Sequence, residues 1–266
     1  MKKKPTILIT NDDGVHAPGI AHLWQTLREI ADVTVAAPSQ DQSGVGMAHS
    51  PRSPLYINEI RWSEETTVKV INGTPSDCIK MALSALMDNP PELIASGINN
   101  GSNAGRNLLY SGTVAAVIEG TLRGIPGIAF SCEEYFQPDF ITTLPYIAEI
   151  TQHTLNNPLP PGTFLNVTFP HIEGGQYRGI KLASQGKQYW IENLEKRLHP
   201  EGTPYYWLGG QPIKYDEEEG SDIALLSQGY ITVVPIQIND LTNHSFLQQH
   251  QENYLPLVGK SKSELK

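Results

Sequence analysis

Apolar positions along the first half of the chain switch between two periods. Thr6–Thr10 is a short apolar run, Ile20, Leu23, Trp24, Leu27 and Ile30 recur at helical spacing, and Asp32–Ala37 returns to β-branched and small residues. That order predicts a βαβ unit. The rhythm continues through Val68–Ile71, a helical stretch from about Ser76 to Met87, the run Leu93–Ser96, a second helical stretch from Gly112 to Leu122, and the run Gly127–Ser131. Residues 138–156 predict a further helix and Phe164–Phe169 a further strand. Strands covered on both faces read as continuous apolar runs, so the pattern predicts an α/β fold with a mainly parallel, doubly wound sheet.

From about Gln185 the pattern becomes aromatic and polar, with Gln188–Glu192 and Tyr205–Gly209, before a last strand-like run at Tyr230–Pro235. No Gly/Ser linker separates the two regions. The expectation is one α/β domain over residues 1–266, with an excursion at about 185–230. That excursion reads either as a β-hairpin arm pairing with another subunit or as a hairpin folded on its own domain. Asp216 and Glu217–Glu219 form an acidic run expected to be a solvated loop. The polar end Gly259–Lys266 is expected to fray.

Composition narrows the function. The 266 residues carry 19 Lys and Arg against 28 Asp and Glu, a formal net charge of −9. Nucleic-acid polymers and anionic membranes are bound by basic surfaces, so both are disfavoured as partners. A small anion needs only a local device. No run of about 18 apolar residues and no secretory leader is present, so a cytoplasmic protein is expected. Cys78 and Cys132 form no CxxC pair and read as reduced core thiols.

In an open parallel sheet ligands bind beyond the carboxyl ends of the strands. Three loops there are unusual: Asn11–Gly14, Pro38–Gly44 and Gly97–Gly105. Adjacent Asp12 and Asp13 repel one another unless a cation or protons neutralise them, although Asp-Asp-Gly alone also suits a solvated turn. Ser43 and Asn99 supply neutral oxygens from the same edge. An all-oxygen set with few carboxylates suits Mg²⁺ or Mn²⁺, whereas His16, His22 and His49 lack the spacing of a zinc motif. The Asn99–Gly105 loop with Asn103, followed by Ser111, Gly112 and Thr113 where the next helix begins, resembles a phosphate cradle. Ser111 or Thr113 also suits a plain helix cap. Neither a Walker A motif nor a complete dinucleotide fingerprint occurs, which disfavours an ATPase and a nicotinamide-dependent oxidoreductase.

Thr10–Gly19, Ser43-Gly44, Gly73–Cys78, Ser96–Asn103 and Tyr110–Val114 resemble the ordered motifs of the SurE family, and Tyr205–Gly210, Ser221-Asp222 and Gly229-Tyr230 resemble its later blocks. The resemblance implies a Rossmann-like three-layer α/β/α core and a metal-dependent 5′/3′-nucleotidase acting on nucleoside monophosphates, with breadth toward 3′-nucleotides and short polyphosphate. It implies one divalent cation per subunit on Asp12, Asp13, Ser43 and Asn99, with phosphate contacts from Asn103, Ser111, Gly112 and Thr113. It also implies a homodimer or homotetramer with exchanged C-terminal elements. Where many relatives carry an Arg-rich stretch before the arm, this chain has Ser184–Gln188. Asp12 and Asp13 are the expected catalytic pair, and the sequence is compatible with direct water attack or a phospho-aspartyl route. The alternative to an enzyme is a nucleotide-binding regulator without turnover.

Overall fold

The computed structural model describes residues 3–64, 66–173 and 176–258, and for 252–258 the backbone only. In chain order the strands are β1 (Thr6–Thr10), β2 (Asp32–Pro38), β3 (Ile57–Arg61), β4 (Thr67–Ile71), β5 (Leu93–Asn100), β6 (Gly127–Cys132), β7 (Thr163–Phe169), β8 (Ile180–Leu182), β9 (Trp190–Leu198), β10 (Pro204–Pro212) and β11 (Ile231–Gln237). The helices are α1 (Pro18–Leu27), α2 (Pro75–Met81), α3 (Gly112–Thr121), α4 (Phe140–Asn156), α5 (Asp222–Leu226) and α6 (His244–Val258), with a π turn at Ala82–Leu86 and a 3₁₀ turn at Gly105–Leu109.

Nine strands form one sheet in the order β3-β4-β2-β1-β5-β6-β7-β11-β8. The six from β4 to β7 run parallel, while β3 pairs antiparallel with β4 and β11 antiparallel with β7. Side chains of a strand alternate between faces, and β1 shows the consequence. Ile7 and Ile9 join a cluster with Ile20, Leu23, Phe140 and Ile147 of α1 and α4. Leu8 joins the opposite cluster with Ile79, Val114 and Val117 of α2 and α3. The outcome is three layers, with each fully buried Ile or Leu contributing about 1.5–3 kcal/mol.

The chain leaves β1 toward β2 on one side and returns to β5 on the other, so strand order reverses at the β1/β5 boundary. The carboxyl ends of two strands diverge there and leave a crevice. Asn11–Gly14 and the end of β5 both lie at it.

The expected excursion contains a two-stranded antiparallel hairpin, β9–β10, in register from Trp190↔Pro212 to Leu198↔Pro204. Trp190, Leu194, Tyr206, Trp207 and Leu208 are all exposed on it. β3, β8, α5 and α6 were outside the elements that the apolar pattern predicts. The Gly259–Lys266 tail lies outside the described residues. Cys78 and Cys132 are buried and free. Among the described residues no helix is long and apolar enough to cross a membrane.

Candidate active site

Asp12 stands two residues past the end of β1 and is 2% exposed. The Thr113 hydroxyl donates to its Oδ1, and Gly112 lies so close that a Cβ there would stand 2.8 Å from the Asp12 Cβ. The start of α3 is therefore packed onto Asp12, and only glycine permits that approach. Burial pushes the Asp12 carboxyl above its ordinary range, against the bonds from Thr113 and with Asp41 adding repulsion. Asp13 is pushed up to about 7 by burial, then by repulsion from Asp12, with the Asn100 N–H on its Oδ2 at 3.4 Å acting against both. Among the described residues no Lys, Arg or His forms an ion pair with either aspartate.

The loop after β2 is tied in through its backbone: the Gln42 N–H donates to the Asp12 carbonyl at 2.8 Å, and Gly46 N–H to Tyr110 O at 3.0 Å. Ser43 itself is exposed, and both its N–H (2.7 Å) and its hydroxyl (2.6 Å) donate to Asp41 Oδ1. Its side chain is thus held by Asp41 and not by Asp12, Asp13 or Asn99. The Asn99 amide nitrogen donates to the Gly101 carbonyl at 2.8 Å, which commits the NH₂ end to its own loop.

Asn103 is 5% exposed, and its backbone is fixed at both ends: its N–H donates to Ser131 Oγ (3.2 Å) and its carbonyl accepts from Asn166 Nδ2 (2.9 Å). Its own Nδ2 is buried with no hydrogen-bond partner. Buried donors left unpaired are rare in folded proteins, so this one marks a place for an acceptor. Ser111 caps α3, its Oγ accepting the Val114 N–H at 3.1 Å, so the cap expected from sequence is present. The positive end of the α3 dipole then lies at Asp12, to which the Thr113 N–H also donates.

Sequence reasoning placed Thr113 on a phosphate, whereas the structure gives its hydroxyl to Asp12. It also passed over Asp41, whose charge acts on both aspartates. Asp41 lies in one of the three unusual loops, so its position was the available signal. No group of three His, Cys, Asp or Glu side chains suited to a metal occurs among the described residues. Two carboxylates completed by a hydroxyl and an amide are a different donor set, one suited to a hard cation that keeps waters.

A mainly parallel sheet whose switch point carries an acid pair without a cationic partner among the described residues, beside a glycine-rich loop and a helix N-terminus, defines an α/β protein with its candidate site at that switch point. Comparison with known proteins makes this specific. The chain belongs to the SurE family: the family model described as Survival protein SurE matches residues 7–192. A 5′-nucleotidase SurE of Protochlamydia amoebophila is 53% identical over 249 residues, covering 93% of this chain and 95% of the relative. A 5′-nucleotidase SurE of Christiangramia forsetii is 42% identical over 250 residues, covering 93% and 96%. The crystal structure of the SurE protein from Aquifex aeolicus superposes with a TM-score of 0.79 at 34% identity, covering 94% of this chain and 99% of that one.

Proposed function

We propose that this chain is a 5′-nucleotidase, a phosphohydrolase that converts nucleoside 5′-monophosphates to nucleoside and phosphate. The observation that carries the reading is the Asp12–Asp13 pair, half-buried at Asp13 and fully buried at Asp12, without a cationic partner among the described residues and with Asp12 packed against the N-terminus of α3. The relatives named above bear the same activity in their names.

Asp12, Asp13, Ser43 and Asn99 would hold one Mg²⁺ or Mn²⁺ per subunit, Ser43 by turning its hydroxyl away from Asp41. The residues fit such a cation because two crowded carboxylates lack a counter-charge and the remaining donors are neutral oxygens. When bound, the cation supplies charge neutralisation and Lewis-acid polarisation of a phosphoryl oxygen. Asn103, Ser111 and the Gly112 N–H hold the phosphate, the Asn103 Nδ2 finding there the acceptor it otherwise lacks. Thr113 is shared, its hydroxyl fixing Asp12 while its position in the first turn of α3 adds to the cradle. Donors fixed before the reaction stabilise the charge of the transition state without reorganising. Asp12 and Asp13 are the groups that orient or deprotonate a water attacking the phosphorus, or one of them attacks the phosphorus itself and water later releases the phosphate. On either route the P–O bond to the nucleoside breaks and its oxygen leaves with a proton. Trapping of an aspartyl phosphate separates the two routes. 3′-Nucleotides and short polyphosphate are further substrates to test.

The exposed β9–β10 arm is the element that pairs with a second copy, giving a homodimer or homotetramer in the cytoplasm. Solution mass reads this directly. Phosphate release from a panel of nucleoside monophosphates, with Mn²⁺, Mg²⁺ or chelator, tests the function. Nucleotide binding without metal-dependent release would instead mark a regulator.

A further inference from the structure

Asp222 opens α5 and is 1% exposed, and no Lys, Arg or His pairs with it among the described residues. Burial pushes its carboxyl above the ordinary range, and the groups that oppose this are backbone N–H donors. Oδ2 accepts from Gly105 at 2.9 Å, a partner 117 residues away, and Oδ1 accepts from Gly186 at 2.8 Å and from Ile223 at 2.8 Å. The helix does not need all of this, because Ser221 already caps it by accepting the Ala224 N–H at 3.2 Å. Two of the three bonds reach outward, one to the last residue of the cradle loop and one to the segment that leads into the arm.

Those two segments are also joined to each other. Gln185 Nε2 donates to the Gly105 carbonyl at 3.0 Å, and the Arg106 N–H donates to the Gln188 carbonyl at 2.8 Å. Gly105 has φ +61°, and a Cβ there would stand 2.5 Å from the Gln188 oxygen, so the loop closes onto the arm root at van der Waals limit. From the other side Glu217 accepts the N–H groups of Lys187 and Gln188 at 3.0 and 2.9 Å. The acidic run expected to be only a solvated loop thus contributes a half-buried carboxylate to the same joint.

We propose that Asp222 is a positioning residue for the phosphate cradle: by binding the Gly105 and Gly186 N–H groups together, it fixes the loop carrying Asn103 to the root of the β9–β10 arm. This rests on the phosphohydrolase reading. A carboxylate accepts charge-assisted bonds on both oxygens, whereas a carboxamide offers one acceptor and turns its NH₂ against the other N–H. Asp222→Asn therefore breaks one side of the clamp with little change in shape.

The test measures KM and kcat for a nucleoside 5′-monophosphate, the Kd of inorganic phosphate and of Mn²⁺ by calorimetry, and the melting temperature. In Asp222→Asn, KM and the phosphate Kd rise about tenfold, the size expected for one hydrogen bond to a charged group, while kcat stays within about threefold and the Mn²⁺ Kd within about twofold. Gln185→Ala moves KM and phosphate Kd the same way, by about threefold, with an unchanged melt, and decides the matter if Asp222→Asn does not fold. Unchanged KM and phosphate Kd, or a parallel fall in Mn²⁺ affinity and melting temperature, overturns the proposal. A wild-type protein that releases no phosphate, with weaker phosphate binding in Asp222→Asn, rejects the nucleotidase reading and retains the clamp. Normal turnover in both proteins, with equal phosphate binding, does the reverse.

Discussion

Asp77 and the Asp12–Asp13 pair lie along one edge of the same sheet, yet their surroundings treat them oppositely. Asp77 stands in the first turn of α2, where Oδ1 accepts the Ser50 N–H and Oδ2 the Thr74 N–H, each at 3.0 Å, while Thr74 Oγ1 accepts the Asp77 N–H in return. Burial pushes this carboxyl up, but the bonds from Ser50 and Thr74 outweigh it, and Asp77 titrates below the ordinary aspartate range. Asp12 is held by the Thr113 hydroxyl and by backbone N–H groups, and Asp13 by a long bond from Asn100, yet burial outweighs these bonds at both, with repulsion from Asp41 on each and from Asp12 on Asp13. An acid with its donors supplied by the fold is structural. A pair in which burial and repulsion outweigh the donors is what the proposed cation would relieve.

Exchanging charge at each place should separate the two roles. Asp12→Asn or Asp13→Asn is expected to lower phosphate release by about a thousandfold, or roughly 4 kcal/mol in the barrier. Thermal melts of the metal-free variants should match or exceed wild type, since repulsion among Asp12, Asp13 and Asp41 is reduced. A loss of stability equal to the loss of activity would place the pair in the fold's support. Divalent metal gives the next largest effect. Mn²⁺ at a hundred times its Kd stabilises the folded state by about 2.7 kcal/mol. Asp77→Asn should retain that gain, Asp12→Asn should not, and melts with and without chelator read both.

Gly112→Ala tests the packing of α3 onto Asp12. Its methyl meets the Asp12 Cβ at 2.8 Å, so overpacking of about 1–3 kcal/mol is expected, with weaker metal binding in the same titration. Asp77→Asn gives the smallest effect, about 1 kcal/mol of stability with turnover within about twofold of wild type. Its pH dependence has a fixed sign. A carboxyl whose folded pKa is depressed stabilises fully above its unfolded value of about 3.9, and that contribution is lost as pH falls through the lower folded value. Denaturant melts of wild type and Asp77→Asn should therefore differ at neutral pH and converge in acid.

The parallel sheet was legible because its central strands are buried on both faces and read as unbroken apolar runs; β7 is buried at every position. Edge elements were not. β3 is INEIR, half exposed, and β8 is three exposed residues, IKL, so neither leaves an apolar signature. The three loops stood out because Asn, Asp, Ser and Gly collect at strand ends, where the topology gathers them. Pairings within the site were illegible for a different reason. Thr113 meets Asp12 across 101 residues and Gly105 meets Asp222 across 117, and no local spacing encodes a partner so distant.

If the Asp12–Asp13 pair holds a cation that acts on a phosphate ester, turnover must depend on both the metal and the pair. Phosphate release from a nucleoside 5′-monophosphate, measured for wild type and Asp12→Asn in Mn²⁺ and in chelator, tests it most directly. Wild type should release phosphate in Mn²⁺ and lose that release in chelator, and Asp12→Asn in Mn²⁺ should be about a thousandfold slower. Release that survives chelation, or an Asp12→Asn protein working near the wild-type rate, would contradict it.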